Sequence, residues 1–488
     1  MTEPSLERVS TGIDGLDEIL HGGLIRGRNY LVRGDPGSGK TILGTQFLAA
    51  GLDADETGLC ITLEETTADA KANAHQLGID LDGLHWLDLS PESDFFVDDL
   101  SYDIFEPSDV EGDALTETII DRVDEVQPDR VFVDPLTRLR YLAPDDYQFH
   151  KQVLAFMRYL GDMGATVCYT AQDTPASPDT DIQFLSDGVV ELAHDGDSRT
   201  VEVPKFRGSD REGGTHSMRI ARGGIEVYPR LVPDEHSEVF DTEPIPSGTL
   251  GFDSLLNGGI ERGTVTVISG PTGIGKTTTG SLFVTEAAKR GERSAVYLFE
   301  ENEATYRHRA ESIGLPVGEL SDGGDLLVEQ IESLRRSPEE FAQMIRHEVE
   351  RRGTQVVMID GISGYQVAIQ GDESDLVREL HALCRYLKNV GVTVILIDEV
   401  DAMAGTMNPT EAGVSYLADN IVFMRYMEMD GELRKMVGVL KKRVSEFEHT
   451  MREFEITSQG VQVGEPLRGL RGILDGTPER DPQAESNR

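Results

Sequence analysis

Two short stretches of this chain hold residues suited to gripping phosphate. The first, GDPGSGKT, is Gly34, Asp35, Pro36, Gly37, Ser38, Gly39, Lys40 and Thr41. The second, GPTGIGKT, is Gly270, Pro271, Thr272, Gly273, Ile274, Gly275, Lys276 and Thr277. Both fit the pattern G-x-x-x-x-G-K-[ST]. Glycine has no Cβ, so backbone N–H groups can close around phosphate oxygens. Each stretch follows an apolar run (NYLVRG, TVTVISG) and opens a helical pattern. The positive end of the helix dipole then meets the anion. Lys40 and Lys276 would reach the β and γ phosphates, and the Thr41 and Thr277 hydroxyls would face Mg2+. The predicted ligand is a nucleoside triphosphate with its metal.

Further acids and bases recur beside each stretch. Asp134 ends the apolar run RVFVD, and Asp360 ends QVVMID. A carboxylate at the carboxyl end of a buried strand faces the nucleotide and suits a water-mediated Mg2+ ligand. A turn cap is the plainer alternative. Glu64 and Glu65 follow another apolar run, as do Glu300 and Glu301; the first acid of each pair lies 24 residues beyond the loop lysine. A carboxylate there can polarise a water for in-line attack on the γ-phosphate. Lys205 and Arg207, like Lys441 and Arg443, start 165 residues beyond the loop lysine. Alternate residues of a strand share one face, so each pair presents two cations together. Such cations could stabilise γ-phosphate charge across a subunit boundary. A surface ion pair is the plainer alternative.

The matched offsets make an internal repeat. Lys40 and Lys276 are 236 positions apart, and so are Glu64 and Glu300, and Lys205 and Lys441. The offset is 226 between Asp134 and Asp360. The lead-in STGIDGLDEILHGGLIRG also resembles PSGTLGFDSLLNGGIERG. A period this long means duplicated domains rather than a solenoid.

The elements must place these residues on a common frame. Apolar strand-like runs alternate with helical patterns in both halves, which predicts an α/β fold with a mostly parallel sheet and helices on both faces. After Gly188 the first half changes to GVVELA, TVEVPKF, HSMRIA and GIEVYP, read as antiparallel additions at the sheet edge. Residues 1–230 form the expected first domain, 231–247 a linker rich in proline and acid, and 248–463 the second domain. Residues 464–488 read as a mobile tail. The acidic, aromatic stretch from Pro91 to Asp113 reads as a solvated insertion.

Composition narrows the setting. The 488 residues carry a formal net charge of −43, and only ten of the 45 basic residues are lysine. No single acidic tail explains the charge, which suits a halophile's cytoplasm, where screening lengths fall to about 3 Å near molar salt. Such charge argues against nucleic acid as the default ligand. Of the three cysteines, Cys60 and Cys168 lie in apolar strand-like runs and Cys384 in a helix-like run, without metal or redox spacing. No signal peptide or membrane-spanning run is evident, so the expected location is cytoplasmic.

The lead-in, both loops, both Glu-Glu pairs, both strand-end aspartates and both Lys-x-Arg pairs together resemble the KaiC-like branch of the RecA superfamily. That branch includes the cyanobacterial circadian clock protein. The resemblance implies two tandem RecA-like P-loop NTPase domains that bind ATP and Mg2+. It also implies a two-tiered homo-hexameric ring with ATP between neighbouring subunits. Glu64, Glu65, Glu300 and Glu301 would activate water. Lys205, Arg207, Lys441 and Arg443 would come from the adjacent subunit. Regulatory protein partners are implied, though no partner can be carried over. The clock protein's neighbouring Ser and Thr phosphoacceptors align with GVSYLAD, where Ser415 matches the serine and Tyr416 replaces the threonine. An ordinary hydroxyl is the alternative for Ser415.

A DNA-dependent motor of the broader superfamily is the competing class. It would need basic loops facing a channel. The candidate after Asp134 carries Arg138, Arg140 and Lys151, offset by Asp145 and Asp146. The loop after Gln172 is acidic.

Overall fold

The structure is a computed structural model. It describes residues 6–93, 111–142, 145–171, 180–196, 198–233, 240–332, 336–368, 373–400, 416–429, 431–458, 460–468, 470–471 and 479–480. Ser415, the loop after Gln172 and most of the Pro91–Asp113 stretch lie outside these residues. The chain divides into two units, Met1–Arg230 and Leu231–Arg488.

Each unit is built on a nine-stranded sheet. In the first, the strand Asn29–Gly34 feeds the glycine loop and sits between Gly188–Asp195 and Thr166–Thr170. Arg130–Asp134, Gly58–Thr62 and His85–Asp88 continue the sheet on one side. Ser198–Phe206, Thr215–Ala221 and Gly224–Tyr228 complete it on the other. The six strands from Gly188–Asp195 to His85–Asp88 pair in parallel. GVVELA therefore differs from expectation. It joins the parallel set beside Asn29–Gly34, and the antiparallel extension begins only with Ser198–Phe206.

The second unit repeats this order. Val265–Gly270 sits between Thr393–Glu399 and Asn420–Met429, with Val356–Asp360, Ser294–Leu298 and Leu326–Gln330 beyond. Glu432–Lys442, Arg452–Thr457 and Gly460–Pro466 extend the other edge antiparallel.

The loop strands and their parallel neighbours are apolar on both faces because helices cover both. Their central residues, such as Leu31, Val32, Val267 and Ile268, are fully buried. One face of the first sheet packs Phe47 and Leu48 from the loop helix Lys40–Asp53. The other packs Phe149, Val153 and Leu160 from the helix Asp146–Asp162. The second sheet is layered likewise, with Phe283 on one face and Leu383 and Leu387 on the other. Fully burying one such side chain contributes about 1.5–3 kcal/mol.

Described residues of the expected linker and tail take part in sheet pairing and packing. Within 231–247, Leu231 and Ile245 are buried in the second unit, and Pro244–Ile245 pairs with Ile260–Glu261. Beyond residue 463, the last sheet strand runs on to Pro466, and Leu470–Arg471 pairs with Glu479–Arg480. All three cysteines are buried and free. No helix among the described residues is long and apolar enough to cross a membrane.

Candidate active sites

Each glycine loop ends in a helix that begins at its lysine, Lys40–Asp53 and Lys276–Lys289. Neither helix has an acid of its own in its first turn to compensate the positive end of its dipole. Gly39 and Gly275 precede the helices at φ 111° and 116°, where an L side chain is strained. Space is tight as well at Gly275, where a Cβ would lie 2.5 Å from Ile456 Cδ1 and that side chain would have to move.

The loop lysines fold back over the cradle. Lys40 Nζ donates to the carbonyls of Gly34 at 2.8 Å and Asp35 at 2.9 Å. Lys276 Nζ donates to Pro271 O at 3.0 Å and lies 3.5 Å from Glu399 Oε2. Burial pushes the Lys40 ammonium below its ordinary range, against the pull of Asp134, Asp35 and Glu64. A triphosphate would offer these ammonium groups stronger acceptors than carbonyl oxygen.

The threonine that follows meets the strand-end aspartate. Thr41 Oγ1 donates to Asp134 Oδ2 at 2.6 Å, and Thr277 Oγ1 donates to Asp360 Oδ1 at 3.0 Å. A hydroxyl and a carboxylate held together at a phosphate cradle suit Mg2+, which prefers oxygen ligands and keeps several waters. Among the described residues no cluster of three or more His, Cys, Asp or Glu could hold a metal. A cation there would thus depend on phosphate oxygens and water for most of its shell. Burial raises both aspartates, Asp134 upward and Asp360 to about 7, while the threonine hydrogen bonds pull the other way.

The glutamates arrive beside these aspartates by sheet register. Thr62 pairs with Asp134 and Leu298 with Asp360. Leu63 N donates to Asp134 O at 2.9 Å, and Phe299 N donates to Asp360 O at 3.0 Å. Glu64 and Glu300 come next in each chain. Glu64 Oε1 lies 3.2 Å from Arg138 Nη2. Glu65 accepts from Asn73 Nδ2 at 3.4 Å, and Glu301 pairs with Arg309 at 2.6 Å. In each unit the structure thus brings loop, lysine, threonine, aspartate and glutamates to one end of one sheet.

The Lys-x-Arg pairs bind elsewhere in their own units. Lys205 Nζ donates to Gln183 O at 2.7 Å and Phe184 O at 3.2 Å, and Arg207 Nη2 donates to Phe184 O at 3.4 Å. Lys441 Nζ donates to Ala418 O at 2.6 Å, and Arg443 lies 3.5 Å from Asp419 Oδ1. Both members of each pair reach the segment that leads into the neighbouring strand, the helix Thr180–Leu185 before Gly188–Asp195 in the first unit and Ala418 and Asp419 before Asn420–Met429 in the second. Burial and the neighbouring arginine lower Lys205 and Lys441 from their ordinary range.

Sequence reasoning missed several contributors. Arg199 Nη1 donates to Gly37 O at 2.8 Å, and Lys435 Nζ donates to Gly273 O at 3.2 Å. These two cations obey the 236-residue offset, a signal that could have found them. Thr170 gives Asp134 a second, short hydrogen bond. Arg138 and Arg140, read as possible DNA contacts, are engaged within the chain. Arg138 pairs with Glu64, while Arg140 lies 3.5 Å from Asp146 and 4.8 Å from the Phe149 ring centroid.

Comparison with known proteins agrees with this duplicated arrangement. The family described as "ATPase: KaiC" matches residues 9–232 and again residues 245–468. The chain belongs to the KaiC family. Among its KaiC relatives is a circadian clock oscillator protein of Picosynechococcus sp., 29% identical over 491 residues, covering 97% of this chain and 93% of that protein. One from Rippkaea orientalis is 28% identical, covering 100% of this chain and 94% of the relative. One from Synechococcus elongatus is also 28% identical, covering 98% and 92%. The KaiC match spans both glycine loops, both Glu-Glu pairs and both Lys-x-Arg pairs.

Proposed function

We propose that this chain hydrolyses ATP with Mg2+ at two sites, each completed by a neighbouring copy in a homo-hexameric ring. Glu64 and Glu65 in the first unit, and Glu300 and Glu301 in the second, polarise the attacking water. Lys40 with Thr41 and Asp134, and Lys276 with Thr277 and Asp360, hold the phosphates and the metal. Lys205 with Arg207, and Lys441 with Arg443, stabilise γ-phosphate charge in the neighbour's site.

The carrying observation is the duplication itself. Two units place loop, threonine, aspartate and glutamate in the same relation, with Thr–Asp hydrogen bonds of 2.6 and 3.0 Å. Chance strand-end acids would not repeat this geometry. A DNA-dependent motor is less well supported, because Arg138 and Arg140 are engaged by acids within the chain. The family resemblance adds regulation or signalling as the role. It also adds autophosphorylation at Ser415, which lies outside the described residues.

The test replaces Glu64, Glu65, Glu300 and Glu301 by glutamine. Turnover should fall by about 10²–10⁴ while ATP still binds. Undiminished turnover would overturn the assignment. Incubation with ATP followed by mass spectrometry tests Ser415, and no phosphate on it leaves a pure ATPase.

A further inference from the structure

The helical turn after each strand-end aspartate runs over Leu136–Leu142 in the first unit and Ile362–Ala368 in the second. Both elements keep the 226-residue offset of Asp134 and Asp360, so they correspond position by position. Pro135 matches Gly361, and Arg138 matches Gly364. The two sites diverge at these positions.

In the first unit the Arg138 guanidinium meets the Glu64 carboxylate at 3.2 Å, with 40% and 42% of the two side chains exposed. In the second unit Glu300 packs against bare backbone. A Cβ on Gly361 would lie 2.9 Å from Glu300 Cδ, and one on Gly364 would lie 2.7 Å from Phe299 Cβ and 3.3 Å from Glu300 Cγ. The second site therefore has no room for a side chain where the first has its arginine. Among the described residues nothing pairs with the Glu300 carboxylate.

We propose that Arg138 is a positioning residue of the first site: it engages Glu64 and slows turnover there relative to the second site. This rests on the reading of Glu64 as the water-polarising acid. A carboxylate held by a guanidinium must give up that hydrogen bond before it accepts one from water, and Glu300 faces no such exchange. The pair is about half exposed, so salt weakens it. Glu64 thereby acquires a salt-dependent restraint that Glu300 lacks among the described residues, in a chain whose charge of −43 matches a high-salt setting.

The experiment silences the second site with Glu300→Gln/Glu301→Gln and measures kcat and KM for ATP at rising KCl. Arg138→Gln should raise kcat about 1.5- to 5-fold, the span of one exposed ion pair, with KM unchanged. Arg138→Lys, which keeps the charge, should stay near the parent. The parent's kcat should climb with KCl until it meets that of Arg138→Gln, whose own rate should stay flat. An unchanged or lower kcat in Arg138→Gln, or equal rates for the Gln and Lys variants, overturns the proposal. Glu64→Gln in the same background separates the two layers. If turnover survives it, the reading of Glu64 fails and the inference with it. If turnover is lost but Arg138→Gln brings no acceleration, the inference alone fails.

Discussion

Ile397 stands in register beside Asp360, at the place where Thr170 stands beside Asp134. Asp134 thus accepts from two hydroxyls, Thr41 and Thr170, whereas Asp360 accepts from Thr277. Asp360 is also deeply buried, and its carboxyl is lifted to about 7. The first expected outcome concerns stability without Mg2+ or nucleotide. A carboxyl raised in the folded state adds stability that is complete below its unfolded value and is lost as pH climbs toward 7. Asp360→Asn should therefore stabilise the second unit more at pH 8 than at pH 5. The difference should be at most about 3 kcal/mol, because the raised carboxyl, at about 7, loses its stabilisation over the two units between pH 5 and 7. Ile397→Thr should supply the missing hydroxyl and narrow that difference. Thermal melting at the two pH values is the check. Equal shifts at both would contradict the burial argument.

A second prediction concerns the cradle. Gly39 sits at φ 111°, and a Cβ there would lie 3.2 Å from Ile220 Cδ1 and 3.3 Å from Ile225 Cδ1. Gly39→Ala should cost about 1–3 kcal/mol of local strain. It should also weaken nucleotide binding at the first site without affecting the second. Titration with a fluorescent ATP analogue, with each site tested in a background where the other is disabled, would show the selectivity.

The third addresses a buried charge. Lys442 Nζ lies 2.8 Å from Glu261 Oε1, and the lysine side chain is fully buried. At the 236-residue offset the first unit places Phe206 and Ile25, both in its apolar core. Lys442→Met alone should destabilise the second unit by about 3–5 kcal/mol, because Glu261 would remain buried and uncompensated. Lys442→Phe together with Glu261→Ile should recover most of that loss. Denaturant unfolding of the three proteins decides this; a double variant no better than the single one contradicts it.

These partners mark the limit of legibility. The loops, their helices and the strand-end acids could be read because each is a local pattern that recurs. The outermost parallel strands, His85–Asp88 and Leu326–Gln330, went unread because they are short and only partly apolar. The direction of Gly188–Asp195 depends on which strand it joins, which its own residues do not encode. Thr170 and Arg138 reach the site through sheet register and a helical turn, and the second unit has Ile397 and Gly364 at their places. Without a repeat they resembled any threonine or arginine. Lys205 and Arg207 could be paired by alternation, yet the carbonyls they bind belong to a short helix, Thr180–Leu185, that sequence leaves unassigned.

The fourth prediction tests the shared site. With the second site silent, Lys205→Ala/Arg207→Ala and Glu64→Gln/Glu65→Gln should each be inactive alone. Mixing them under conditions that let copies exchange should restore turnover, because some interfaces then hold an intact half from each protein. No recovery despite proven exchange would place both halves in one chain.

Tyr169 gives the first sheet one more property. Its hydroxyl meets Ser186 Oγ at 2.6 Å, and Ser186 donates to Ile182 O at 2.7 Å. The helix Thr180–Leu185, which Ser186 follows, offers its carbonyls to Lys205 and Arg207, while Thr170, next along the strand, holds Asp134. Hydrogen bonds thus tether that strand both to the strand-end aspartate and to the short helix whose carbonyls hold the two cations. Leu396 and Ile397 fill the corresponding places in the second sheet, so the tether is peculiar to one half of a duplicated machine.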